Sequence, residues 1–227
     1  MGEEEKGALP CKGVLIGERG VGKTSIISRY ISNTFSSILT ATPGASFTTK
    51  TIFLEEFKQS IKFEIWDTAG QEKYRALAKV FYKNAAVCIL VYDITRRSSF
   101  DELKNYWINE IKSNASPNLC KLFNIIICYF ILFIVLALAG NKNDMYEHEE
   151  VEENEGKNLA KELGAIFQKT SAKEATGVED LFIKIGKKFL HPSDSDGGNQ
   201  AKTDKSDKKK IKLEKSKGEE KKKKGCC

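Results

Sequence analysis

The sequence predicts an α/β fold: a mostly parallel six-stranded sheet with helices on both faces. Three observations carry this. Short apolar runs alternate along the chain with helix-period segments, the pattern of strand–helix units. The run AAVCILVYDI (85–94) is apolar without alternation, as a strand buried on both sides must be. The turns richest in polar chemistry fall where the apolar runs end, and ligands of such sheets bind beyond the carboxyl ends of the strands.

The elements follow in order. CKGVLIG (11–17) is a buried strand and VGKTSIISRYI the helix after it. FTTKTIFLE and IKFEIW are two strands joined by a turn near Lys58–Ser60. AAVCILVYDI is the fourth strand. SSFDELKNYWINEIK is an amphipathic helix with Ser98 or Ser99 as its N-cap. LALAGNKND is a fifth strand running into a loop, and ENEGKNLAKELG a helix ended by Gly164. AIFQKTSAK is the sixth strand and its loop. VEDLFIKIGKKFL is a last helix, stopped by Pro192. Beyond it, residues 193–227 turn to Ser, Asp, Gly, Asn and Lys without apolar periodicity, the composition of a disordered tail. The expected organisation is an N-terminal extension (1–10), one domain (11–192) and this tail.

Charge is placed unevenly. The tail holds twelve lysines against seven acids, so it carries most of the net +6 and leaves the domain nearly neutral. That argues against a nucleic-acid-binding surface and points to an acidic membrane face. The six cysteines form no C-x-x-C pair, and Cys11 and Cys88 lie in strand-like runs. A reducing compartment is implied, with neither a disulfide framework nor a zinc site. The first ten residues lack the apolar stretch of a secretory signal. They place Lys6 where a myristoylation signal wants Ser or Thr.

Gly17-Glu18-Arg19-Gly20-Val21-Gly22-Lys23-Thr24 fits G-x-x-x-x-G-K-[ST], between a strand and a helix. This is a P-loop, so the fold expected is that of a P-loop NTPase. Backbone N–H groups wrap phosphate oxygens, Lys23 supplies a cation to the β and γ phosphates, and the Thr24 hydroxyl ligates Mg²⁺. Asp67-Thr68-Ala69-Gly70-Gln71 ends the third strand. There a carboxylate can hold the Mg²⁺ shell, the Gly70 N–H can meet a γ-phosphate, and Gln71 can orient an attacking water. Asn141-Lys142-Asn143-Asp144 ends the fifth strand. Guanine offers two adjacent donors on one edge, which the Asp144 carboxylate can accept together; adenine has no such pair. Ser171-Ala172-Lys173 completes the base pocket.

These motifs resemble the small Ras-like GTPases. WDTAGQEKY, FYKNA, LVYDIT and a two-cysteine end resemble the Rab family, and NASPNL and GASF are most similar to its early-endosomal branch. The resemblance implies a nucleotide-binding set that adds Ser25, Phe35 against the guanine ring, and Thr42 as the switch I ligand of Mg²⁺ and γ-phosphate. It implies catalysis by Gln71, Lys23 and Thr42, and metal binding by Thr24, Thr42 and Asp67. Phe47, Trp66 and Phe81 become an aromatic cluster read by effectors, though aromatics in these places equally fill cores. Two departures stand out. Arg19 occupies a position usually small, where a bulky cation would crowd Gln71 or an incoming arginine finger. Pro43 follows Thr42 and biases it towards extended geometry.

The ending KKKKGCC resembles the Rab double-geranylgeranyl signal, with Cys226 and Cys227 as the lipidated residues. One lipid chain holds a protein only marginally on a membrane and two hold it stably, with each nearby Lys adding ~1 kcal/mol on an anionic leaflet.

The apolar run Leu122–Gly140 is long enough for a transmembrane helix. Its position argues otherwise, because Asp144 must reach the same nucleotide as Lys23 and a strand must therefore precede it. Residues near 121–135 then exceed the two to six residues of an ordinary helix-to-strand connection. The favoured reading is a translated intron. Cys120-Lys121 can be encoded with the intron-start bases GTAA and Ile134-Val135 with the intron-end bases TAG. Excision between them is in frame, removes fifteen codons and leaves one Phe or Leu. A genuine insertion ranks second and a membrane span last.

The expectation is a GTPase switch of vesicle trafficking, binding GTP and GDP with Mg²⁺ on the cytoplasmic face of endosomal membranes and cycling with the cytosol. Its implied partners are an exchange factor, a GTPase-activating protein, a GDP-dissociation inhibitor, an escort protein with its prenyltransferase, and effectors. The alternatives are a nucleotide-locked module with negligible turnover and a membrane-spanning variant anchored by 121–139. An ATP-using kinase is disfavoured by Asn141–Asp144.

Overall fold

The structure, a computed structural model, describes residues 7–38, 42, 44–70, 80–81, 85–114 and 134–192. Six strands form one sheet in the order β2-β3-β1-β4-β5-β6. They are β1 (Leu9–Ile16), β2 (Ala45–Leu54), β3 (Gln59–Thr68), β4 (Val87–Asp93), β5 (Val135–Asn141) and β6 (Ile166–Thr170). Only β2 runs antiparallel, against β3; the other pairings are parallel. Every residue of β4 is buried, as its unbroken apolar sequence requires. Edge strand β2 is partly covered, with Leu54 its one buried residue.

Helices cover both faces. Helix α1 (Lys23–Ser32) packs Ile26, Ile27 and Tyr30 on one face, beside Leu181, Phe182 and Ile185 of α5 (Val178–Leu190). On the other face lie α2 (Arg97–Glu102), α3 (Ile108–Asn114) and α4 (Glu153–Leu163), contributing Phe100, Ile108, Ile111 and Leu159. Burial of these side chains is the main force holding helices to sheet, at ~1.5–3 kcal/mol for each large apolar one. Cys11 and Cys88 are free and buried in the sheet. Burial pushes both thiols up to about 12, so neither is a reactive thiolate.

Several details differ from the sequence expectation: β1 begins at Leu9, inside the expected N-terminal extension, and the turn between β2 and β3 lies at 55–58. The N-cap of α2 is Arg96, not a serine. Ser99 is fully buried; its hydroxyl donates to Arg96 O at 2.7 Å and accepts from Asp93 N at 3.0 Å. The hydroxyl thus closes the loop between β4 and α2, a contact that helix periodicity does not encode. A π-helical segment, Leu103–Trp107, joins α2 to α3. Helix α4 does end at Gly164, whose φ of 61° is the left-handed conformation that glycine tolerates.

The apolar run divides at its end. Val135–Asn141 pairs with Val87–Asp93 along its whole length, and six of its seven residues are buried, all but Leu136. A membrane helix over 121–139 is therefore excluded, because a backbone paired into the sheet is not helical. Residues 115–133 lie outside the described residues. Among the described residues no helix is long and apolar enough to cross a membrane.

Candidate guanine-nucleotide site

The parallel strands deliver β1, β3, β4, β5 and β6 to the same edge, and the polar motifs meet there. They surround a cavity of about 490 Å³. Arg19, Gly20, Gly22, Lys23, Thr24, Ser25, Phe35, Thr42, Gly70, Asn141, Lys142, Asp144, Ala172 and Lys173 line it. Gly17, Glu18, Val21, Asp67 and Ser171 are not among its lining residues. Gln71 lies outside the described residues, as do Pro43, Cys226 and Cys227.

At the phosphate end Lys23 is 5% exposed, and its ammonium donates to Gly17 O at 2.8 Å and Glu18 O at 2.9 Å. Burial lowers its pKa to about 8, against the pull of Asp67 upward. A polyanion at this place would raise the pKa again. The loop is tightly packed. A Cβ on Gly22 would lie 2.3 Å from Asn141 Nδ2, and Gly22 sits at a φ of 96°. A Cβ on Gly70 would lie 2.5 Å from Lys23 Nζ and 2.6 Å from Arg19 N. Only glycine lets the end of β3 approach the P-loop this closely.

Three oxygens converge beside Lys23. Thr24 Oγ1 donates to Asp67 Oδ2 at 2.6 Å and lies 2.9 Å from Thr42 Oγ1. Asp67 is 2% exposed, and its Oδ1 has no hydrogen-bond partner. Burial raises its pKa, opposed by the Thr24 hydrogen bond and by Lys23. Hydroxyl and carboxylate oxygens around an orphaned buried carboxylate oxygen are the donor set that Mg²⁺ takes.

At the base end, Ser171 Oγ donates to Asp144 Oδ1 at 2.6 Å, and Lys173 Nζ lies 3.8 Å from Oδ2. Asn141 ties the two ends together: Nδ2 donates to Val21 O at 2.8 Å, and Oδ1 accepts from Thr170 Oγ1 at 3.1 Å. Lys142 holds a left-handed φ of 68° and pairs with Asp93 at 2.5 Å. Phe35 is 39% exposed at the cavity mouth.

Several residues of this arrangement escape motif reading. Arg96 Nη2 donates to Arg19 O at 2.8 Å and lies 3.4 Å from Glu18 Oε2, bracing the P-loop from outside. Asp93 anchors Lys142, Thr170 anchors Asn141, and Arg29 reaches the loop after β6. One signal was available. Arg96-Arg97 opens a helix, where the macrodipole disfavours cations. Such a pair implies partners elsewhere, and Arg97 meets Glu155 at 2.7 Å. Elsewhere, Trp66 packs between Phe47 at 5.1 Å and Phe81 at 5.0 Å between ring centroids, with Phe47 half exposed.

The P-loop motif after the central strand and the Asn141–Asp144 motif after β5 meet at one cavity, the arrangement of a P-loop protein of the guanine-nucleotide-binding class. The Ras family profile matches residues 12–191. The chain is 42% identical over 176 residues to the Ras-related protein Rab-22A of Homo sapiens, covering 77% of this chain and 81% of that one. It is 40% identical over 180 residues to the Ras-related protein Rab5A of Oryza sativa subsp. japonica, covering 79% and 80%. It is 40% identical over 183 residues to the Ras-related protein RabJ of Dictyostelium discoideum, covering 81% and 64%. The chain belongs to the Ras family, and within it to the Rab small GTPases that hydrolyse GTP, most similar to the early-endosomal branch.

Proposed function

We propose that this GTPase is a switch of endocytic vesicle traffic, with the cavity at the sheet edge as its nucleotide site. The convergence of Thr24, Thr42 and Asp67 beside buried Lys23, at the opposite end from Asp144, carries the reading. Asp144 accepts guanine N1–H and the exocyclic amine, and Phe35 lies against the ring. Lys23 holds the β and γ phosphates. Gly70 N–H and Thr42 contact the γ-phosphate and so register its presence.

Hydrolysis is an in-line displacement. A water oriented by Gln71 attacks γ-phosphorus, the bond to the β–γ bridging oxygen breaks, and GDP leaves with that electron pair while inorganic phosphate carries off the water's proton. Thr24, Thr42 and Asp67 would hold Mg²⁺, which would neutralise phosphate charge there. Loss of γ-phosphate removes its contacts with Gly70 and Thr42, changing what the Phe47–Trp66–Phe81 surface offers to effectors.

A Rab protein works with exchange factors, activating proteins and effectors. Extraction by a GDP-dissociation inhibitor, delivery by an escort protein and prenyltransferase, and double lipidation at Cys226 and Cys227 complete the proposed cycle between cytosol and the cytoplasmic face of endosomal membranes. The test is competition for the purified protein between GTP and ATP, followed by single-turnover hydrolysis with and without an activating protein. Preference for GTP by several orders of magnitude and a stimulated single turnover are expected. Equal ATP binding would refute the base pocket. GTP binding without stimulated turnover would make the chain a nucleotide-locked module, the outcome that Arg19 at the cavity wall would then explain.

A further inference from the structure

Arg29 sits in the last turn of α1, outside the nucleotide cavity, and belongs to none of the phosphate, metal or base motifs. Its guanidinium is nonetheless one of the most fully engaged groups near the site. Nε donates to Ala172 O at 2.8 Å and Nη2 to Lys173 O at 3.1 Å. Nη1 donates to Asn33 O at 2.7 Å and to Asn33 Oδ1 at 2.9 Å. All three nitrogens are used, and the two directions lead to two chain segments that line one pocket.

The first pair of bonds holds the loop after β6. Ala172 and Lys173 line the cavity, and their neighbour Ser171 sets the Asp144 carboxylate through the 2.6 Å hydrogen bond. The second pair holds Asn33, the left-handed cap of α1 with a φ of 54°. Two residues further on is Phe35, which lines the same cavity. A planar, permanently charged fork is suited to spacing two peptides rigidly, which a lysine ammonium cannot do.

We propose that Arg29 is the positioning residue that fixes the spacing of the guanine pocket, joining the Ser171–Lys173 wall to the segment that carries Phe35. The inference rests on the guanine-nucleotide reading of the cavity. Its consequence concerns specificity. Asp144 distinguishes guanine from hypoxanthine by accepting a second donor, the exocyclic amine, and that hydrogen bond demands the tightest placement of carboxylate against base. Loosening the wall costs GDP more than it costs IDP.

The experiment compares wild type, Arg29→Ala and Arg29→Lys for dissociation of GDP and of IDP, with thermal unfolding measured alongside. Wild type must first prefer GDP over ADP; equal binding there would defeat the pocket reading itself. Given that preference, Arg29→Ala is expected to release GDP about tenfold faster, equivalent to about 1.4 kcal/mol, and to narrow the GDP-over-IDP preference severalfold. Arg29→Lys keeps the helix-end charge without the fork, so its preference also falls. Should Arg29→Ala not fold, the lysine variant decides by the same ratio. An unchanged GDP-over-IDP ratio in the folded variants, even with a lower unfolding temperature, would overturn the proposal and leave Arg29 a purely structural tie.

Discussion

Lys23 carries the clearest electrostatic consequence at the scale of one residue. Burial holds its pKa at about 8 in the protein without ligand, and phosphate charges raise it when nucleotide binds. Below pH 8 the lysine is charged in both states and contributes no pH dependence. Above it, binding must take up a proton, so GDP affinity is expected to fall about tenfold per pH unit, the slope of one linked proton. Calorimetry in buffers of different ionisation enthalpy would measure the uptake; zero uptake at pH 9 would contradict it. Asp144 is the residue proposed to select the base. Asp144→Asn replaces two acceptors by one acceptor and one donor. The variant is expected to lose GTP and gain xanthosine triphosphate, which swaps guanine's exocyclic donor for an acceptor. Competition between the two nucleotides reads this directly.

At the scale of elements, α4 shows packing overriding propensity. Gly156 lies within this helix and is buried. Alanine in an exposed helix interior would gain ~1 kcal/mol over glycine. Here a Cβ would meet Phe167 Cε2 at 2.5 Å and Tyr92 Oη at 2.6 Å, both on the sheet against which α4 packs. Overpacking costs ~1–3 kcal/mol, so Gly156→Ala is expected to destabilise by about 1 kcal/mol net. Urea unfolding at one fixed GDP concentration tests it, and a raised midpoint would show that the helix moves away freely. The π segment between α2 and α3 is a second element-level feature. It places Leu103 and Trp107 in the core at 0% and 1% exposure, while Trp107 Nε1 donates to Glu102 Oε1 at 3.1 Å.

For the whole molecule the apolar excess is decisive. β5 begins at Val135, opposite Val87. Deleting residues 121–134 keeps that register and leaves residues 115–120 to link α3 to β5, within the ordinary range for such a connection. The deleted protein is expected to be monomeric and to bind one GDP. A deletion that binds none, beside a soluble full-length chain that does, would make the segment a true structural element, and the mature transcript across codons 119–136 would decide between insertion and intron. Membrane attachment belongs to this scale too. Cys226→Ser with Cys227→Ser is expected to leave the protein cytosolic, since a tail of net +5 without lipid is screened at physiological salt. Sedimentation with membranes despite both changes would point to another anchor.

The elements and motifs were legible in the sequence because their causes are local. Apolar runs without alternation become buried strands, Gly164 ends a helix through its own backbone freedom, and Gly17–Thr24 needs only its neighbours to form a phosphate loop. The parallel order then brings Asp67, Asp144 and Ser171 to one edge. What was not legible depends on distance in sequence: Arg29 meets a loop more than 140 residues away, Arg96 braces a P-loop 77 residues before it, and Ser99 leaves the cap position for the core. These contacts arise only after the sheet has stacked its strands. A charged side chain has many partners of equal chemistry along a chain, and the fold selects among them by proximity.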